Sequence, residues 1–160
     1  MNILITGGSG FIGTNLVADL LNEGHKVTIY DKQKSETYPD FCIVGDVRDK
    51  EKLTRSMGGV DAVYHLAAEH RDDVQPASLY YEVNVGGAEN IVNALKKNNI
   101  KRLIFTSTDA VYGLTQESLM RTAPSGHLMI TVRANTRPKL FSANGLISTI
   151  QIASSQFGQL

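Results

Sequence analysis

A glycine-rich turn near the N-terminus constrains the fold of this chain more than any other stretch. Asn2–Thr6 is apolar and rich in β-branched residues, which predicts a buried strand. Gly7, Gly10 and Gly13 follow it, and after Gly10 the apolar residues recur with a helical period. A helix that begins here directs free N–H groups and its positive dipole end toward the space above the strand. Because glycines let a diphosphate approach that backbone, the turn predicts a dinucleotide-binding site.

An acidic residue ends the next predicted strand, Lys26–Tyr30. Asp31 stands where an acid would hold the ribose hydroxyls of the adenosine half, and it would repel a 2′-phosphate. This favours NAD over NADP, although Lys32 and Lys34 follow and weaken the preference. The alternative is that Asp31 is an ordinary residue of a strand-end turn.

A second acid follows the third predicted strand, Phe41–Gly45. Asp46 could accept a hydrogen bond from an adenine amino group while Val47 packs on the ring. The alternative is that Asp46 or Asp49 caps the next helix. We expect Asp49 to be the cap and Asp46 the ligand.

The fourth predicted strand, Ala62–Leu66, is followed by Ala67 and Ala68, whose small side chains leave room for a ligand to cross the sheet. Within this strand we expect His65 to be a packed core residue rather than a catalyst. The charged residues 70–73 predict a solvated loop.

Asn84 lies in the buried face of a long predicted helix that begins near Pro76, so its polar side chain needs a partner. It either bonds neighbouring backbone or braces the loop of the site.

Hydroxyl side chains end the fifth predicted strand, Arg102–Thr106. Thr106, Ser107 and Thr108 lie at the same edge as the glycine turn and could contact a substrate oxygen; the alternative is a turn that ends the strand. Five strands separated by helical segments predict an α/β Rossmann fold, a doubly wound parallel sheet of order 3-2-1-4-5. Its ligand would lie over the switch between strands 1 and 4.

Bulk properties narrow the class of protein. The 160 residues suffice for one domain with a core, and the formal net charge of zero disfavours nucleic acid or an anionic membrane as partner. No apolar run predicts a membrane span or a secretory leader. Cys42 is the single cysteine, so we expect neither a disulfide nor a metal site, and a cytoplasmic location.

With these motifs the chain resembles the extended short-chain dehydrogenases/reductases, and within them the NAD-dependent epimerase/dehydratase family that acts on nucleotide sugars. The resemblance covers residues 1–118. It is carried by TGGSGFIG (6–13), Asp31, GDVRD (45–49), HLAA (65–68), VNVGGAENIVNA (83–94) and FTSTDAVYG (105–113). The candidate cofactor-binding residues are Gly7, Gly10, Phe11, Ile12, Gly13, Asp31, Asp46, Val47, Leu66, Ala67, Ala68 and Thr106.

The resemblance also implies a mechanism. In this family a Tyr-x-x-x-Lys pair removes a proton from a sugar hydroxyl while NAD takes a hydride from the same carbon. A Ser or Thr hydroxyl steadies the oxygen, a role that matches Thr108. Ala110 stands where the 4,6-dehydratases carry Glu, which favours an epimerase or a reductase. Members of the family are often homodimers.

The last part of the chain departs from the family. No Tyr follows Tyr112, and Lys139 is the only Lys after Arg102, so no Tyr-x-x-x-Lys pair stands where the family carries it, after the fifth strand. We expect the sixth strand and the substrate domain to be missing as well. The resemblance therefore implies a truncated, catalytically incomplete enzyme. Alternatives are a non-catalytic NAD-binding module and a non-functional gene remnant.

Composition changes at the same point. Every acid lies at or before Glu117, whereas residues 119–160 contain four bases. Codons can be chosen for 119–160 so that a one-base shift restores Tyr-Gly-x-Ser-Lys and a later Arg-Pro-Thr. We therefore expect an NAD-binding domain at 1–118 and an out-of-frame tail at 119–160 that forms no native domain. Leu146–Ala153 is uncharged and β-prone, a candidate aggregation segment, and the fifth strand would be left as an exposed edge.

Overall fold

The computed structural model describes residues 1–71, 73–107 and 148–153. The strands are β1 (Asn2–Thr6), β2 (Lys26–Asp31), β3 (Cys42–Val44), β4 (Ala62–His65), β5 (Arg102–Ser107) and β6 (Ser148–Ala153). The α-helices are α1 (Phe11–Asn22), α2 (Lys50–Ser56), α3 (Ser78–Tyr81) and α4 (Gly87–Lys97). A 3₁₀ turn covers Pro39–Phe41, and a π-helical turn, Glu82–Gly86, joins α3 to α4.

The strands form one parallel sheet in the order β3-β2-β1-β4-β5-β6. The order of the first five strands confirms the predicted doubly wound topology. The chain leaves β1 toward β2 and β3, then returns to the other side of β1 to form β4. The loops after β1 and β4 therefore diverge at the carboxyl edge of the sheet, and this divergence opens the crevice expected in such folds.

The sixth strand corrects two expectations: that a sixth strand is missing, and that β5 is left as an exposed edge. Residues 148–153 pair with β5 in parallel register, from Arg102 opposite Ser148 to Ser107 opposite Ala153. The segment carries no charge and is rich in β-branched residues, which suits a strand. Pairing with it also satisfies backbone groups on β5 that an open edge would expose.

Both faces of the sheet are covered, as expected for parallel strands. On one face, Ile3 and Ile5 of β1 share a buried cluster with Val17 of α1. On the other, Leu4 shares a cluster with residues of α2 and α4, including Leu53 and Ile91. The alternation along β1 therefore fixes which face each helix covers.

The helical connection between β4 and β5 contains an irregular turn. The π-helical turn Glu82–Gly86 interrupts what is otherwise a run of helix from Ser78 to Lys97. Such turns insert one residue into the helical ladder and often occur at functional sites. Here the turn carries Glu82 and Asn84, both of which contact loops at the carboxyl edge of the sheet. Among the described helices, none combines the length and apolar character needed to cross a bilayer.

Candidate functional site

A cavity of about 420 Å³ opens at the carboxyl edge of the sheet, between the loops that follow β1, β2, β3 and β4. Its wall on the helical side is formed by Leu79 and Val83. Eight of the twelve candidate cofactor residues line it: Gly7, Gly10, Asp31, Asp46, Val47, Leu66, Ala67 and Ala68. Loops separated by about 60 residues in sequence therefore converge on one crevice, as the topology requires.

The glycine turn packs too closely for side chains at two positions. Gly7 has a φ of +72°, and a Cβ there would lie 2.7 Å from the backbone nitrogen of Ala67. A Cβ on Gly13 would lie 2.5 Å from the Cα of Gly8. Gly7 thus lets the turn contact the loop after β4, while Gly13 lets α1 pack against the turn from behind the cavity. The two glycines serve different steps in building one cradle.

Helix α1 begins at the cavity with its N-terminus free of a side-chain cap among the described residues. Gly10 is the N-cap, and its carbonyl accepts the first helical hydrogen bond, from the Thr14 N–H at 2.8 Å. Phe11 and Ile12 follow with side chains 82% and 58% exposed, and neither lines the cavity. The anion-binding capacity of this end therefore comes from backbone N–H groups and the helix dipole.

The carboxylate of Asp31 ties the end of β2 to the glycine turn. It accepts a hydrogen bond from the Ser9 N–H at 3.0 Å and another from the Gln33 N–H at 3.0 Å. Each of its two oxygens has a further lone pair with which to accept a ribose hydroxyl. The strand-end turn that was the alternative for Asp31 is present, and it leaves this acceptor capacity in the cavity wall.

An ion pair crosses the cavity wall from β2 to the loop after β4. The Lys32 ammonium lies 3.2 Å from a carboxylate oxygen of Glu69. The Glu69 side chain is only 8% exposed, whereas that of Lys32 is 63% exposed. Burial acts to raise the pKa of Glu69, but hydrogen bonding and charge from Lys32, with backbone N–H bonds, lower the pKa overall. Glu69 is therefore a buried carboxylate held in its ionised form.

Asn84 fixes the backbone of Glu69. Its side-chain oxygen accepts from the Glu69 N–H at 2.8 Å, and its amide nitrogen donates to the Glu69 carbonyl at 2.8 Å. Asn84 is 2% exposed, so both of its bonds are made away from solvent. Of the two partners left open by the sequence, the structure selects the loop of the site. The π-helical turn places this side chain at the required position.

Asp46 is engaged by a neighbouring arginine. The Arg48 guanidinium lies 2.7 Å from one Asp46 oxygen and 3.1 Å from the Glu82 carboxylate on the π-helical turn. Hydrogen bonding from Arg48 lowers the pKa of Asp46 against the opposing effect of burial. Asp49 is the N-cap of α2, as predicted, accepting from the Lys52 N–H at 3.0 Å. Asp46 thus lines the cavity as an anchored carboxylate, and Arg48 links it to the helical wall.

Tyr30 is buried beneath the loop that follows β3. Its hydroxyl donates to the Asp46 carbonyl at 3.0 Å, and burial raises its pKa to about 12. A Cβ on Gly45 would lie 2.5 Å from the Tyr30 ring, so the loop after β3 rests directly on that ring. The tyrosine therefore sets the height of the Asp46 loop.

His65 is a core residue, as predicted. It is 3% exposed, and its Nδ1 lies 2.7 Å from the Thr6 hydroxyl. Burial lowers its pKa to about 4, so the ring is neutral near pH 7. Thr106, at the end of β5, donates to the His65 carbonyl at 3.5 Å and is not part of the cavity lining. Thr108 lies outside the described residues.

The sequence alone did not single out Glu69, Arg48 or Tyr30. Glu69 follows Ala67 and Ala68 after β4, and this position at the ligand edge of the sheet is the sequence feature that could have identified it. Arg48 stands two residues after Asp46, a spacing at which an acidic side chain often accepts from the following backbone. Two other lining residues, His70 and Arg71, belong to the loop that we predict to be solvated and to lie on the ligand side, and the structure places both at the cavity.

Comparisons with known proteins agree with this geometry. The family model described as "NAD dependent epimerase/dehydratase family" matches residues 3–135. An Escherichia coli O157:H7 protein, N-acetyl-alpha-D-glucosaminyl-diphospho-ditrans,octacis-undecaprenol 4-epimerase, is 48% identical over 117 residues. That match covers 73% of this chain and 35% of the relative, so the chain spans about a third of the relative's length.

Solved structures match over a larger share of the chain. A short-chain dehydrogenase/reductase superfamily protein from Agrobacterium tumefaciens, with bound NAD, is 25% identical with a TM-score of 0.85; the match covers 94% of this chain and 48% of that protein. The Bordetella bronchiseptica enzyme WbmG, in complex with NAD and UDP, is 25% identical with a TM-score of 0.81, over 93% and 51% of the two chains. The glycine turn, the crevice and these matches together show that this chain belongs to the NAD-dependent epimerase/dehydratase family.

Proposed function

We propose that this chain is the NAD-binding half of an epimerase/dehydratase-type oxidoreductase acting on diphosphate-linked sugars, nucleotide sugars above all. The observation that carries the proposal is the convergence of Gly7, Gly10 and Asp31 on one cavity with Ala67 and Ala68. A diphosphate-binding turn, a ribose acceptor and a gap in side-chain bulk are the three features that a dinucleotide needs.

The residues present fit NAD. The turn is a cradle that a Cβ would fill, since a Cβ on Gly7 would meet the backbone of Ala67 at 2.7 Å. The N–H groups at Phe11, Ile12 and Gly13 would hold the diphosphate, and Asp31 the adenosine ribose. Asp46 and Val47 would contact the adenine. When bound, NAD supplies the acceptor for a hydride from a sugar carbon.

The chemical step needs residues beyond those that bind NAD. Thr108 is the proposed hydroxyl that steadies the substrate oxygen. No Tyr-x-x-x-Lys pair follows the fifth strand in the sequence to remove the proton, so we expect NAD binding without turnover. We also propose that 119–160 is an out-of-frame tail after an NAD-binding domain at 1–118. Sequencing the gene across codon 118 tests this, and the idea fails if no single-base change there restores Tyr-x-x-x-Lys.

Two alternatives to an enzyme by descent make different predictions about NAD binding. A non-catalytic module would bind NAD and serve as a sensor or scaffold, and a gene remnant would bind nothing. The family membership and the intact cavity favour an enzyme by descent over both. The relative from E. coli is named for a sugar on an undecaprenyl diphosphate, so a lipid-linked sugar is a substrate to test beside UDP- and GDP-sugars.

The test of cofactor binding is a calorimetric titration of NAD into the full chain. We expect saturable binding with one site per chain. Asp31→Asn should weaken it about tenfold, because a neutral amide is a poorer acceptor for ribose hydroxyls. Asp40→Asn is the matched control, since Asp40 is exposed in the 3₁₀ turn and does not line the cavity. Absence of binding by the unchanged chain would refute the proposed function.

A further inference from the structure

The Lys32–Glu69 ion pair engages the lysine that directly follows Asp31, the proposed ribose-binding acid. Lys32 is adjacent to Asp31, and both line the cavity. A lysine at this point could pair with a 2′-phosphate and so admit NADP, which the acid alone would repel. The choice of cofactor therefore depends on where the Lys32 ammonium is held.

The ammonium is held by a carboxylate that is well fixed. Glu69 lies 3.2 Å from it, with a side chain 8% exposed. Two hydrogen bonds of 2.8 Å fix the backbone of Glu69: its N–H donates to the Asn84 side-chain oxygen, and the Asn84 amide donates to its carbonyl. The partner of Lys32 is therefore a pre-positioned buried charge rather than a mobile surface acid. Releasing the lysine would leave that carboxylate without its cation at a cost in free energy.

We propose that Glu69 is a specificity-determining residue, which favours NAD over NADP by holding the Lys32 ammonium away from the ribose 2′-position. The acid at the end of β2 repels the phosphate, and Glu69 engages the cation next to that acid in sequence, which could otherwise offset this repulsion. Three segments therefore act together: the end of β2 provides Asp31 and Lys32 follows it, the loop after β4 provides Glu69, and the π-helical turn fixes that loop. This inference rests on the proposed binding of NAD.

The test is a set of calorimetric titrations of NAD and NADP into the full chain, at one low ionic strength. In Glu69→Gln, a neutral amide replaces the carboxylate and Lys32 is released. We expect the ratio of the NADP to the NAD dissociation constant to fall about fivefold, the size of a partly exposed phosphate–ammonium pair. Far-UV circular dichroism would establish that each variant is folded.

The ratio could also change because Glu69→Gln removes a negative charge that repels the phosphate, without any role for Lys32. A second variant distinguishes this explanation from release of the lysine. In Glu69→Gln combined with Lys32→Met, the ratio should return to that of the unchanged chain. In Glu69→Gln combined with Lys34→Met, the matched control on an exposed lysine, the fivefold change should persist. If the change also persists without Lys32, the lysine is not involved and the inference is overturned.

Glu69→Asp covers the case in which the amide variant does not fold. It retains the charge but shortens the side chain by one methylene, so the 3.2 Å contact with Lys32 is lengthened. We expect a change in the same direction, and an unchanged ratio would overturn the inference. If the unchanged chain binds NAD and Glu69→Gln leaves the ratio unaltered, only this inference fails. If the unchanged chain binds neither nucleotide, the proposed function fails with it.

Discussion

The loops after β1 to β4 and the carboxyl end of β5 lie at the same edge of the sheet, but they differ in the side-chain contacts that the described residues make there. The first set is joined by side chains from distant points: Asp31 to the glycine turn, Lys32 to Glu69, and Arg48 to both Asp46 and Glu82. At the end of β5, Thr106 makes one long hydrogen bond to the His65 carbonyl. Among the described residues, charged side chains therefore connect the loops of the proposed cofactor site, whereas the end of β5 carries a single hydroxyl contact.

We infer from this difference that NAD binding and proton transfer depend on separate parts of the chain. The adenosine half of NAD would be held by residues before Asn84, all within the described part of the chain. The proton-transfer pair of the family belongs to the later part, where Tyr-x-x-x-Lys is absent from the sequence. Variants in the first region should therefore change NAD affinity, and variants in the second should leave it nearly unchanged.

The largest effect is expected from a glycine in the cradle. In Gly13→Ala the new Cβ meets the Cα of Gly8 at 2.5 Å, so the turn must move away from α1. We expect a loss of about 3 kcal/mol in the free energy of unfolding, and NAD affinity below detection. The control variant is Gly24→Asn. Gly24 has a φ of +78°, which Asn tolerates, and a Cβ there would meet nothing within 4 Å, so stability and NAD affinity should both change little. Urea unfolding and NAD titration would measure both. Equal effects in the two variants would contradict the role given to the cradle.

The next effect is a dependence of stability on pH through His65. Its folded pKa of about 4 is below the usual value near 6.5, so the unfolded state binds more protons between these values. Stability is fully present above about pH 6.5 and should fall by about 3 kcal/mol as the pH drops toward 4. His65→Gln should flatten this part of the profile. His25→Gln, a change near the surface, should leave it intact, and a profile unchanged by His65→Gln would count against the buried neutral ring.

A smaller effect is expected from the brace between the π-helical turn and the loop after β4. Asn84→Ala leaves the buried N–H and carbonyl of Glu69 without their side-chain partner, at a cost of about 2 kcal/mol. NAD affinity should also fall, because that loop lines the cavity. Asn93→Ala, at an exposed position in α4, is the control and should alter neither. Thermal unfolding with and without NAD would report both changes. If Asn84→Ala behaves like the control, the brace has no energetic weight.

The smallest effect on binding is expected from the other region. Ile150→Pro removes a backbone donor from β6 opposite Ile104 of β5. We expect a modest loss of stability and an NAD affinity within about twofold of the unchanged chain, since no described cavity residue lies on β5 or β6. Titration of NAD into this variant is the measurement. A loss of affinity comparable to that of Asp31→Asn would show that β6 contributes to NAD binding, and would contradict the separation of the two regions.

Local patterns predicted most of the fold. The strand before the glycine turn, the acid ending β2 and the cap at Asp49 depend on residues adjacent in sequence, so periodicity and capping rules reach them. The five-strand order followed from alternation of strands and helices. The aggregation tendency of Leu146–Ala153 stays a prediction, although its last six residues form β6.

Contacts between distant residues were not predictable. The Lys32–Glu69 pair spans 37 positions and the Arg48–Glu82 pair spans 34, so no local pattern reveals either. The partner of Asn84 could be narrowed to two choices because a buried amide must be satisfied, but choosing between them needed the π-helical turn. Likewise, the pairing of 148–153 with β5 joins segments more than 40 residues apart. Charge pairs and sheet edges depend on tertiary placement, and sequence rules constrain only their ends.

The most direct test of the central claim is one absorbance measurement on the full chain saturated with NAD. UDP-sugars, GDP-sugars and an undecaprenyl diphosphate sugar are added in turn, and reduced nicotinamide is followed after calorimetry has established that NAD is bound. We predict that NAD is bound and that none of the sugars reduces it. Reduction of bound NAD at a rate above that of a chain-free control would contradict the claim that this chain retains the cofactor site without the chemistry.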